Sequence, residues 1–102
     1  MAYIELYRNI IFIEGSYSEA NQIKETSFNL RFKLGTQLDW LGLLKDNLVI
    51  AAEFEKCNAV INFVYGKEIH IPKMGDISIW CKGILATIQQ NKRTEILSNL
   101  NI

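Results

Sequence analysis

The sharpest pattern in the chain is FNLRFKL, residues 28–34, where Phe28, Leu30, Phe32 and Leu34 alternate with Asn29, Arg31 and Lys33. Successive side chains of a strand point to opposite faces, so this segment predicts a strand with one buried and one wet face. Residues 3–13, YIELYRNIIFI, are β-branched and aromatic and stop at Gly15-Ser16; they predict a first strand. Between the two, EGSYSEANQIKETS (14–27) is polar and rich in turn formers, which predicts a loop with a short turn of helix.

Beyond Gly35 the period lengthens. Thr36 stands three residues ahead of Asp39 as a capping pair, and Leu41, Leu44, Leu48, Ala51 and Ala52 recur as the stripe of a helix running to about Lys56. Trp40, Ile50, Phe54 and Cys57 widen that stripe beyond what one packed face uses, and the excess calls for another partner.

Residues 56–69, KCNAVINFVYGKEI, then turn to strand with no Gly or Pro at the junction. Alternation places Ala59, Ile61, Phe63 and Tyr65 on one face and Val60, Asn62 and Val64 on the other. GKEIHIPKMGD (66–76) holds the only proline and reads as a connection between strands. ISIWCKGILATI (77–88) repeats the two-faced pattern, Ile79, Cys81 and Leu85 against Trp80, Ile84 and Ile88. In the tail, Ile96, Leu97 and Leu100 fall at helical spacing.

The prediction is one α+β domain over residues 1–102. It has an antiparallel sheet of about four strands packed on one main helix (ββαββ), plus a short C-terminal helix. Eleven basic and eleven acidic residues give a formal net charge of zero. No global electrostatic argument then favours nucleic acid or an anionic membrane. MAYIELYRNIIFIEG shows neither a basic leader nor a cleavage site, and no run approaches about 18 apolar residues. The expectation is a cytoplasmic protein without a membrane span.

The junction CNAVINFVYG followed by WCKGILATI resembles the YbjQ-like family of small bacterial proteins, over residues 36–88. There a helix ends in a Gly-Ala-Asn-Ala-Val/Ile type motif that opens a strand, and the next strand carries an aromatic, a Gly and a small residue, as Trp80, Gly83 and Ala86 do here. This chain has Lys56-Cys57 where the family has a glycine and an alanine, so Lys56 or Asn58 must take the conformation a glycine would supply. The resemblance implies a small α+β protein assembling into rings, commonly of five, with no agreed activity. The family's heavy-metal-binding label carries over to no residue.

Chemistry is sparse. Cys57, Cys81 and His70 are not at metal-ligand spacing, and the cysteines read as buried reduced thiols. One histidine supports no nucleophilic triad, Glu53 and Glu55 leave a helix on different sides, and no phosphate-cradling glycine motif occurs. No catalytic residue, metal or cofactor is expected.

If the strands holding Arg31 and Trp80 share a sheet, Arg31, Lys33 and Lys82 cluster beside an indole, a set suited to a small anionic or nucleotide-like ligand. The plain alternative is a wet sheet edge. One helix covers one side of a sheet, so Val60, Val64, Trp80, Ile84 and Ile88 are expected on a second face covered by another subunit. The functional expectation is a non-enzymatic, ring-forming homo-oligomer of five or more subunits, with ligand sites at its interfaces. Its alternatives are a purely structural scaffold and an enzyme whose site forms between subunits.

Overall fold

A computed structural model describes residues 3–33, 39–70 and 76–100. In chain order the elements are β1 (Tyr3–Tyr7), β2 (Ile10–Glu14), β3 (Asn21–Lys33), α1 (Trp40–Phe54), β4 (Ala59–His70), β5 (Asp76–Thr87) and α2 (Gln90–Asn99). The fold is α+β. Among the described residues the sheet has five strands, ordered β1-β2-β4-β5-β3, rather than four.

The extra strand comes from a turn inside YIELYRNIIFI. Arg8 and Asn9 both adopt positive φ (49° and 69°), the left-handed pair required by a primed two-residue hairpin turn. β1 therefore folds back on β2, with Tyr7 opposite Ile10. β3 begins at Asn21, inside the segment predicted as loop. There β5 offers a full-length antiparallel partner, which outweighs the local polarity. β2 and β4 pair in parallel, so the sheet is mixed rather than antiparallel.

α1 is capped by Asp39, whose carboxylate accepts from the Gly42 N–H at 3.0 Å; the predicted cap at Thr36 lies outside the described residues. The helix stops without a glycine. Lys56 takes φ 58°, the Lys56 N–H donates to Glu53 O (3.1 Å) and the Cys57 N–H reaches back to Ala52 O (2.7 Å). That is a Schellman ending, here with lysine in the left-handed position. Cys57 and Ala52 are both buried in the core beneath it.

Asn58 then fastens the start of β4 to the end of β5. Its side-chain amide donates to Ile88 O, and its side-chain oxygen accepts from the Ile88 N–H, both at 2.8 Å.

Four residues later Asn62 also adopts positive φ (53°), and the register against β5 slips between Ile61 and Val64. This β-bulge swaps the faces of β4. Ala59 and Ile61 lie on one side, but Phe63 lies with Val60 on the other, so the unbroken alternation predicted for 59–65 is corrected. The amide freed by the bulge donates to Gly15 O at 2.8 Å.

The sheet thus has two cores. Leu44, Leu48, Val49 and Ala52 of α1 pack on Phe12, Val60, Phe63, Ile79, Cys81 and Leu85, with Phe28, Leu30 and Phe32 of β3 at the margin. On the opposite side Ile11, Ile13, Ala59, Ile61, Ala86 and Ile88 are covered by Ile96, Leu97 and Leu100 of the C-terminal segment and by Tyr17 and Ala20.

On the near side of Asn62 the second face is therefore closed by the chain itself. Val60 belongs to the helix-side core and Ile88 to the second core, and at 0% and 3% exposure in the single chain neither leaves surface for another subunit to cover. Ile84 packs against the Ile88 cluster. Of the five expected interface residues only Val64 is exposed, while Trp80 is half-buried.

Candidate functional site

β3, β4 and β5 are long, and beyond Asn62 they project as a three-stranded arm; the molecule measures 50 × 27 × 23 Å. α1 continues to cover one face of this arm. Trp40 meets Tyr65 with ring centroids 5.9 Å apart, and the Lys67 ammonium sits over Trp40 at 5.5 Å. Cys81 is buried on this side, and burial pushes its thiol up to about 11. Burial likewise raises Cys57. Neither thiol is a ready nucleophile.

The other face of the arm is wet and carries the predicted ligand residues. Asn29 is opposite Trp80, Arg31 opposite Ser78, Lys33 opposite Asp76 and Ser27 opposite Lys82. Opposed residues of antiparallel strands share a face, so Arg31, Lys33, Trp80 and Lys82 do lie on one side of the sheet.

Their surroundings change what they can do. The Trp80 indole lies over Gly66, close enough that a Cβ there would fall 2.7 Å from the ring. Arg31 pairs with Asp76 at 3.9 Å. Glu25, opposite Ile84, and Glu68, opposite Ser78, share the face as well. Among the described residues three cations are thus matched by three carboxylates, with no excess of positive charge to attract an anion. A hollow of about 190 Å³ beside Lys82 is bordered by Glu25 and Asn62.

A second polar cluster joins the β1–β2 turn to α1. The Tyr7 hydroxyl and Arg8 Nε each donate to Asp46 Oδ1 at 2.7 Å, which holds that carboxyl below its ordinary range. The ammonium of buried Lys45 is paired with Glu5 and lies 5.4 Å from the Tyr7 ring centre. Each group here is satisfied by another, which is the arrangement of a structural clasp.

Among the described residues an unsatisfied apolar surface lies at the sheet margin. Between α1 and β3 runs an apolar groove of about 430 Å³, walled by Thr26 and Phe28 on one side and by Ile50, Ala51 and Phe54 on the other. Ile50 and Phe54 are 66% and 83% exposed, and Ile23 further along β3 is 46% exposed. The Thr26 hydroxyl in the groove wall is buried without a hydrogen-bond partner.

Among the described residues β3 is the last strand of the sheet, and no strand pairs with its outer edge. The signal for this surface was in the sequence, since Ile50 and Phe54 belong to the apolar excess of α1. Trp40 and Cys57, from the same excess, are used inside the chain.

Among the described residues no three of His, Cys, Asp and Glu converge, and no helix is long and apolar enough to cross a membrane. Compared with protein-family models, curated proteins and solved structures, the chain matches none.

Proposed function

We propose that this protein is a non-enzymatic, self-assembling module whose task is structural, acting in the reducing setting of the cytoplasm. One observation carries the reading: the exposed Ile50 and Phe54 of α1 flank an apolar groove beside the unpaired β3 edge. An edge strand is a template for another chain, and a large apolar pair next to it favours burial on association.

The buried thiols with raised pKa support a role that is not catalytic. Free cysteines suit a reducing compartment. The resemblance of residues 36–88 to the YbjQ-like family supports assembly independently. An anionic ligand on the arm would meet Glu25, Glu68 and Asp76 as well as three cations, so the scaffold reading is the stronger.

Light scattering at micromolar concentration tests it. The expected mass is a multiple of 11.7 kDa. A monomer mass that persists to about 100 μM, the weak end of micromolar affinities, overturns the proposal.

A further inference from the structure

We infer that the occupant of the groove and edge is a second copy of this chain, joined β3 to β3 about a two-fold axis at Phe28 to make one continuous sheet. The inference rests on the self-assembly reading and names its contact.

Three observations carry it. The first is the edge itself, open on its outer side among the described residues and regular from Lys24 to Lys33, past the irregularity between Gln22 and Lys24.

The second is its charge pattern. In an antiparallel pairing of β3 with itself, residues equally distant from the axis face each other, and both copies keep the same face toward their helices. With the axis at Phe28, Glu25 of each copy opposes Arg31 of the other, so two acid–base pairs form on the wet face. Opposite charges placed directly across a sheet are favourable and like charges unfavourable. Lys24 and the irregularity beside it are devices that blunt an edge, but from Glu25 to Arg31 the charges are complementary to themselves.

The third is the helix side. Residues opposite Thr26 and Lys24 are Leu30 and Phe32 of the partner subunit, so Ile50 and Phe54 of each helix face apolar side chains across the joint. This is where the isolated chain leaves them in water.

β4 also has an open stretch beyond Asn62, because β2 pairs with it only at Ala59 and Val60. That stretch exposes Val64, Tyr65 and Ile69 of its own, but among the described residues no exposed apolar side chain of α1 lies beside it. The isologous β3 contact is therefore preferred to a head-to-tail β3–β4 contact.

Charge reversal in both directions tests the register. Glu25→Arg and Arg31→Glu are made separately on the full chain, and association is followed by sedimentation velocity. Each single variant sets like charges opposite each other twice, and its self-association is expected to weaken about tenfold or more. An equimolar mixture of the two restores it, because both pairs across the joint are then opposite in charge. The double variant in one chain restores it too. Both positions are exposed, and thermal melts verify folding; Glu25→Gln supplies a milder substitution that leaves the Arg31–Asp76 pair intact.

Assembly that neither reversal weakens, or an odd-numbered ring, overturns the two-fold contact and leaves self-assembly standing. A wild-type chain that stays monomeric overturns both.

Discussion

On the near side of Asn62, β4 and β5 are apolar on both faces and covered on both, by α1 and by α2 with the Tyr17–Ala20 turn. On the far side the same strands are covered by α1 alone, and the opposite face carries Trp80, Lys82 and Glu68 in contact with water. The two regions share strands, register direction and a helix. They differ in one left-handed residue and in whether the tail reaches them. A sheet face can thus be apolar for intramolecular reasons at one end and open at the other, so its hydrophobicity does not by itself indicate a partner.

The largest expected effect contrasts the second faces of the two regions. Ile96→Asp buries a carboxylate against Ile11 and Ile61 and should cost about 3 kcal/mol or more by chemical denaturation. Val64→Asp, in the open region at 42% exposure, should stay within about 0.5 kcal/mol. Equal losses would mean that the arm is covered after all.

The helix-side cover extends into both regions, and Cys81 reports on it. Its folded pKa of about 11 lies above the ordinary thiol value of about 9, so above pH 9 the folded chain binds more protons than the unfolded one. The stabilisation is complete below pH 9 and is lost as pH rises toward 11, by at most about 1.4 kcal/mol per unit. Cys81→Ala should flatten that slope in denaturation midpoints measured across this range.

On the near side of Asn62, Asn58→Ala removes two 2.8 Å bonds to the Ile88 backbone and should cost about 2 kcal/mol. Asn58→Asp should cost more, because it sets a carboxylate against the Ile88 carbonyl.

In the arm, Gly66→Ala drives a methyl into the Trp80 indole and should cost about 1–2 kcal/mol. The loss should shrink in a Trp80→Val background. A full-sized loss in that background would show that backbone freedom, rather than the ring, requires the glycine.

The smallest effect is a gain. Lys56→Gly relieves a side chain at φ 58° and should raise stability by about 1 kcal/mol, read as a higher thermal midpoint.

The sequence made legible whatever depended on period. The inward row Phe28, Leu30 and Phe32, the α1 stripe, the opposed faces of β5 and the shared parity of Arg31, Lys33, Trp80 and Lys82 all follow from spacing. What it hid were single-residue events. The Arg8-Asn9 turn split one predicted strand into two, and the bulge at Asn62 reversed the faces of β4. Both rest on left-handed conformations that Asn and even Arg adopt when pairing on either side compensates.

The role of the tail was hidden for another reason. Its helix is polar and lacks a side-chain cap bond, so only packing on Ile11, Ile13 and Ala86 reveals it as the lid of a second core. The candidate site was half legible. The apolar excess at Ile50 and Phe54 announced an unmet surface, but spacing alone could not show that the chain had already closed the face expected to need a partner.

The parallel pairing of β2 with β4 also bears on the order in which the chain gains its structure. The β1–β2 hairpin closes across two residues, and β4–β5 are adjacent in sequence. Phe12 and Val60, by contrast, meet only after β3 and α1 have been looped between them, close to half the chain. Bringing distant segments together carries an entropic charge that no local contact offsets in advance, and such pairings form slowly. The Asn62–Gly15 and Ile11–Asn58 backbone bonds are therefore expected to close late in folding, as is the comparably distant β3–β5 pairing. In that order the β1–β2 hairpin would dock last, and the apolar β4 strand that it shields would be the segment most open to other unfinished copies of the chain.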